Sequence, residues 1–99
     1  MINFELYKIF VAVAKEKNIT RAAEKLNISQ PAITKQIKNL EGQLSMTLFE
    51  RKSKGLELTI NGKELFEKVK RPIEELNKVN DEFGKNKKIS FYQNIRVRG

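Results

Sequence analysis

Apolar residues recur at helical spacing through the first half of the chain. Residues 4–17 place Leu6, Ile9, Phe10 and Val13 on one face, with Asn3 as the expected N-cap. Lys15 and Lys17 fall in the last turn, where the helix dipole favours cations, and Asn18 suits a left-handed stop. Thr20 is the expected cap of a short second helix, Arg21 to Leu26, ended by Asn27. Ser29 caps a third over 30–44, with Pro31 in its first turn, where a missing N–H costs little. Ile33, Ile37, Leu40 and Leu44 form one narrow apolar stripe on it. The opposite face carries Pro31, Thr34, Lys35 and Lys38 and meets no acid until Glu41 at the far end.

The pattern then changes. Leu48-Phe49 leads into the basic run Arg51-Lys52-Ser53-Lys54-Gly55, and Leu56 to Ile60 alternates at period two, which predicts strand, turn and strand. Asn61-Gly62 has hairpin-turn chemistry, but the residues after it are helical in period, so Thr59 is read as the cap of a long helix over 60–84, ended by Gly84. On that helix Phe66, Val69, Ile73, Leu76 and Phe83 occupy a and d positions of a heptad frame, with Asn80 at the remaining a. Such a seam predicts pairing with a second copy; its rival is a stripe folded back on the subunit's own core. Pro72 leaves the Lys68 carbonyl without its N–H partner and predicts a bend. Residues 85–88 read as a linker into a basic tail.

Composition narrows the chemistry. The 99 residues include no cysteine and no histidine. Thiolate zinc sites, disulfides, and triads or dyads that need His or Cys are therefore excluded, and neither a metal nor a cofactor is expected. No stretch is apolar enough to span a bilayer and no signal peptide opens the chain, so the expected location is the cytoplasm. Twenty Lys+Arg against 12 Asp+Glu give a net charge of +8, the footprint of a polyanion binder rather than an enzyme. The excess is local: residues 20–54 hold seven bases against three acids, a net +4, whereas residues 55–84 hold five against seven, a net −2. Residues 85–99 add five bases and no acid.

Charge and pattern meet in the middle of the chain. Two short helices joined through Asn27-Ile28-Ser29 make a helix-turn-helix, with Ala22-Ala23 as the small pair at the crossing and Leu26, Ile28, Ile33 and Ile37 as the lock. Thr34, Lys35 and Lys38 are its outer face, and the basic hairpin at 51–55 follows as a wing. The expected fold is mainly α: a winged helix-turn-helix over 1–59 with a small β-hairpin wing, then a long C-terminal linker (dimerisation) helix over 60–84 and a basic tail over 85–99. An ordinary helical hairpin with solvated lysines would share the two helices but not the wing.

Three stretches also carry a resemblance. Ile19-Thr20-Arg21-Ala22-Ala23 through Ser29-Gln30-Pro31-Ala32 to Leu40-Glu41, then Leu48-Phe49-Glu50-Arg51, then Leu58-Thr59 followed by Gly62, stand in one unbroken register. Over essentially residues 1–84 the chain resembles the LysR-type transcriptional regulators. The resemblance implies a sequence-specific regulator of transcription that binds double-stranded DNA as a homodimer on an interrupted palindrome. Helix 30–44 would enter the major groove, the wing would lie on the backbone or minor groove, and the long helix would pair two subunits. It assigns base contacts to Gln30, Pro31, Thr34 and Lys35, and phosphate or minor-groove contacts to Thr20, Lys38, Lys52 and Lys54. Arg51 is grouped with them, although a strand-end Arg beside Glu50 reads first as holding the wing to the body. Lys35 stands where the family more often has arginine, and lysine lacks the fork that reads guanine bidentately. Asn94 to Gly99 faintly resembles the first strand of the family's ligand-binding domain, so a small-molecule inducer is expected only through an effector domain absent from this chain. Two rivals stay open: a winged-helix regulator of another family, and a protein-interaction module using helix 60–84, which would show no salt-sensitive DNA binding.

Overall fold

Asn3 is the N-cap of the first helix, its side chain accepting the Glu5 amide N–H at 2.7 Å. The computed structural model describes residues 2–98, and side chains over residues 2–84. Its elements are α1 (Phe4–Glu16), α2 (Ile19–Leu26), α3 (Gln30–Leu44), β1 (Phe49–Lys52), β2 (Gly55–Leu58) and α4 (Ile60–Arg98). The two strands form one antiparallel hairpin, in the register Phe49↔Leu58, Glu50↔Glu57, Arg51↔Leu56 and Lys52↔Gly55.

The first three helices each end on an ordinary residue in left-handed conformation: Lys17, Asn27 and Ser45. This corrects two expectations. Lys17, not Asn18, closes α1, with its amide on the Val13 carbonyl at 2.8 Å. Asn18 is extended and caps α2 by accepting the Arg21 N–H at 2.8 Å, so Thr20 is not a cap but an exposed residue of the first turn. The reason is spacing: a capping side chain reaches the amide two or three positions on, and Asn18 already holds the one at Arg21. Ser29 caps α3 as expected, accepting the Ala32 N–H at 3.2 Å.

The core gathers Leu6, Ile9, Phe10, Val11 and Val13 of α1, Ala22 and Ala23 of α2, Ile33, Ile37 and Leu40 of α3, and Leu48 before the hairpin. Ala22 and Ala23 are the small pair that lets α2 and α3 approach α1. Ile28 does not join this core. It is exposed, because its amide closes the α2 terminus on the Ala23 carbonyl and its side chain turns outward at the corner. Phe10 ties α1 to the wing and to α4, its ring 5.4 Å from that of Phe49 and 6.4 Å from that of Phe66.

Two further expectations on α4 change. The helix runs on past Gly84 to Arg98. Gly84 lacks the positive φ with which a glycine ends a helix, and among the described glycines only Gly55 has one. The heptad seam is also divided. Ile73 is 2% exposed in the subunit's own core, and Phe66 and Val69 pack half-buried beside it. Leu76, Val79, Asn80 and Phe83 are exposed. The stripe is covered while α4 crosses α1 and is bare beyond the crossing. Glu74 marks that crossing through its ion pair with Lys15, which holds the Glu74 carboxyl below the usual range.

Candidate nucleic-acid interface

Helix α3 has two faces. Ile33, Ile37 and Leu40 are buried against α1 and α2, which leaves Gln30, Pro31, Thr34, Lys35 and Lys38 exposed on the opposite side. Those five residues line a single open depression. The Ser29 cap fixes the first turn of α3 and thereby aims Gln30 and Pro31. Sequence reasoning placed the same residues there because stripe and outer face lie half a turn apart at 100° per residue.

The wing stands beside this face. A cleft between α3 and the hairpin is lined by Ile19, Thr34, Lys38, Glu41, Arg51 and Leu56, among others. In the hairpin register Arg51 lies opposite Leu56 on the inner face, while Glu50 and Glu57 oppose each other on the outer one. Arg51 is exposed and forms no ion pair with Glu50 or any other acid among the described residues. Of its two readings, the one in which it ties the wing to the body therefore lacks a partner. Lys52 lies 3.8 Å from Glu50, and Lys54 is exposed at the turn. That turn is seated on the α1–α2 corner: Gly55 has φ +122°, and a Cβ there would meet the Lys17 carbonyl oxygen at 3.3 Å. Thr20 is on the same corner, next to the cleft-lining Ile19.

The ion pairs among the described residues are Lys15–Glu74, Lys25–Glu16 and Lys52–Glu50. Lys35 and Lys38 on the depression, Arg51 in the cleft beside it and Lys54 at the turn consequently carry positive charge without an ion pair among the described residues. Among the described residues no cluster of three His, Cys, Asp or Glu could hold a metal ion, and no helix is long and apolar enough to cross a membrane.

Thr59 caps α4 as expected, but the parts that Glu41 and Gly62 play in holding this interface together were not legible in the sequence. The Glu41 carboxylate accepts the amide N–H of Leu48 at 2.7 Å and that of Phe49 at 3.4 Å. The Thr59 hydroxyl donates to the Thr47 carbonyl at 2.6 Å and accepts the Gly62 N–H at 3.0 Å, while the Thr59 amide donates to the Leu48 carbonyl at 3.0 Å. Gly62 is buried so closely on Leu48 that a Cβ would stand 2.2 Å from its carbonyl oxygen. One signal was available: an acid in the last turn of a helix opposes the dipole, so Glu41 needed another reason to be there.

Residues 4–63 match the family described as bacterial regulatory helix-turn-helix protein, lysR family. The chain is 47% identical over 70 residues to the HTH-type transcriptional regulator ClcR of Pseudomonas putida, covering 71% of this chain and 24% of ClcR. It is 41% identical over 70 residues to the HTH-type transcriptional regulator CysL of Bacillus subtilis (strain 168), covering 71% of this chain and 23% of CysL. The chain thus spans about a quarter of the length of these curated relatives. Among solved structures, the crystal structure of CbnR, a LysR family transcriptional regulator, is similar with a TM-score of 0.71 and 38% identity over 82% of this chain and 28% of that one. The CbnR_DBD–DNA complex has a TM-score of 0.69 at 36% identity, covering 86% of this chain and 98% of that one. The complex of BenM_DBD with catB site 1 DNA has a TM-score of 0.69 at 34% identity, covering 90% of this chain and 97% of that one.

Proposed function

Because this chain belongs to the LysR family of bacterial regulatory helix-turn-helix proteins, we propose that it regulates transcription in the cytoplasm by binding double-stranded DNA as a homodimer on an interrupted palindrome. The observation that carries this reading is the exposed α3 face, free of acids, beside a wing whose cations are mostly unpaired. Double-stranded DNA presents base edges in a major groove wide enough for one helix, flanked by rows of phosphates. Gln30, Pro31, Thr34 and Lys35 lie where base edges would meet α3. Gln30 offers an amide that can both donate and accept, and the Thr34 and Pro31 surfaces suit a thymine methyl. Lys35 supplies a single-point donor for guanine O6 or N7. Thr20, Lys38, Arg51, Lys52 and Lys54 ring that face as the phosphate and minor-groove contacts.

Pairing is assigned to the part of α4 beyond its crossing with α1, with Leu76, Asn80 and Phe83 on the seam and Val79 beside them. Two recognition helices would then lie about one DNA turn apart, roughly 34 Å, or a multiple of it. The response to a small-molecule inducer is assigned to an effector domain outside these residues. The tail that resembles its first strand in sequence is helical as far as Arg98, as the end of α4, and its side chains lie outside the described residues.

Affinity for a selected DNA site, measured against salt, tests the reading. The slope of log K on log salt is expected to steepen by about 0.9 for each phosphate neutralised. Lys35→Ala is expected to cost about 1–3 kcal/mol and to relax the preference at one base pair, whereas Lys54→Ala weakens all sequences alike and lowers the slope by about one. Binding that ignores salt would overturn the proposal. A Lys35→Ala variant as indiscriminate as Lys54→Ala would overturn the division of roles.

A further inference from the structure

Glu41 occupies the last turn of α3, an unfavourable place for an acid, and its carboxylate is not on the groove-facing depression. Its Oε2 accepts the N–H groups of Leu48 and Phe49, the two residues through which the chain enters β1. Its backbone carbonyl accepts the Met46 N–H at 3.1 Å. One residue therefore holds both ends of the connection between recognition helix and wing. Glu41 is half-buried and has no ion pair among the described residues, so the two amides are the donors found for its charge. Hydrogen bonds to an ionised acceptor are the strong ones, and a hairpin of two four-residue strands is marginal on its own.

We infer that Glu41 is a positioning residue for DNA recognition: by tying the entry of β1 to the end of α3, it fixes the width of the cleft across which Lys38 faces Arg51. The wing cations then reach the backbone at the moment α3 enters the groove. This rests on the DNA-binding reading above and deepens it.

The test uses Glu41→Ala and Glu41→Gln, each with and without Lys54→Ala, in DNA titrations over a range of salt. Amide exchange of Leu48 and Phe49 in the DNA-free protein is measured alongside. Glu41→Ala is expected to speed exchange at both amides and to flatten the salt slope by about 0.9 for each phosphate that the wing no longer reaches. Lys54→Ala then changes the slope no further, and the base preference governed by Lys35 is unchanged. Glu41→Gln keeps an acceptor oxygen and is expected to restore both the exchange and the slope. If the alanine variant does not fold, Glu41→Asp, one methylene short of the amides, gives the same readings. A purely structural role predicts a lower melting temperature with the salt slope and the Lys54→Ala effect intact, and that result overturns the inference, as does unchanged exchange. If the wild type does not bind DNA while exchange at the two amides still depends on Glu41, the DNA-binding reading fails and this role falls with it.

Discussion

Gly62→Ala is expected to destabilise the fold by about 3 kcal/mol, a large share of the roughly 5–15 kcal/mol typical of a whole domain. The sign runs against the usual rule, since alanine in a helix interior is normally better than glycine by about 0.5–1 kcal/mol. Here the added Cβ would stand 2.2 Å from the Leu48 carbonyl oxygen and 2.9 Å from Leu58 Cδ2. The nearer obstacle is backbone, and it is already held by the Thr59 amide, so it cannot yield without breaking that bond. Leu48 is itself fully buried. Gly42 supplies the control: it is helical in α3, nothing lies within 4 Å of its would-be Cβ, and Gly42→Ala is expected to gain about 0.5–1 kcal/mol. Urea midpoints of the two variants are expected to move in opposite directions. A Gly62→Ala midpoint at or above wild type would contradict the close approach.

The second large effect belongs to the free stretch of α4. Leu76 is 45% exposed, Val79 46% and Phe83 64%, against 2% for Ile73 one turn earlier. Leu76→Asp with Phe83→Asp is expected to give a folded monomer, because neither side chain supports the subunit's core. Ile73→Asp is the wrong probe, since a charge there would unfold the subunit rather than separate two of them. Sedimentation at roughly tens of micromolar is expected to show a wild-type dimer. Affinity for a paired site is then expected to fall by about 10²–10⁴-fold in the double variant, while affinity for a single half-site stays near wild type. A monomeric wild type, or a variant that sediments as the wild type does, would remove α4 as the pairing element.

How much of this could be read from the sequence depends on the range of the interaction involved. Helix α3 was legible in full, since its cap, its Pro31 and its apolar stripe are local and agree with one another. The wing was legible from a period-two run and a basic turn with Gly55. The N-cap of α2 was misplaced by two residues because Asn18 and Thr20 both have capping chemistry, and only the chain's course out of α1 selects between them; its stop at Asn27 was read correctly. The seam of α4 was read with pairing and fold-back as rivals because a heptad count registers apolar spacing but not what stands opposite; Ile73 is covered in the subunit's own core and Phe83 is bare. Glu41 and Gly62 were least legible. Both act on Leu48, and no periodicity reports a contact made to another residue's backbone.

The division of α3 into a buried stripe and an exposed face has a bearing on how such a protein changes over generations. Ile33, Ile37 and Leu40 hold the helix down, and Gln30, Thr34, Lys35 and Lys38 share none of that packing. Exchanges at exposed positions of this kind usually shift stability by no more than about 0.5 kcal/mol. On the proposed reading of this face, a new target sequence can therefore be reached by single substitutions, each of which leaves a fully folded intermediate. Specificity on this helix would then be free to drift while the scaffold beneath it stays under constraint.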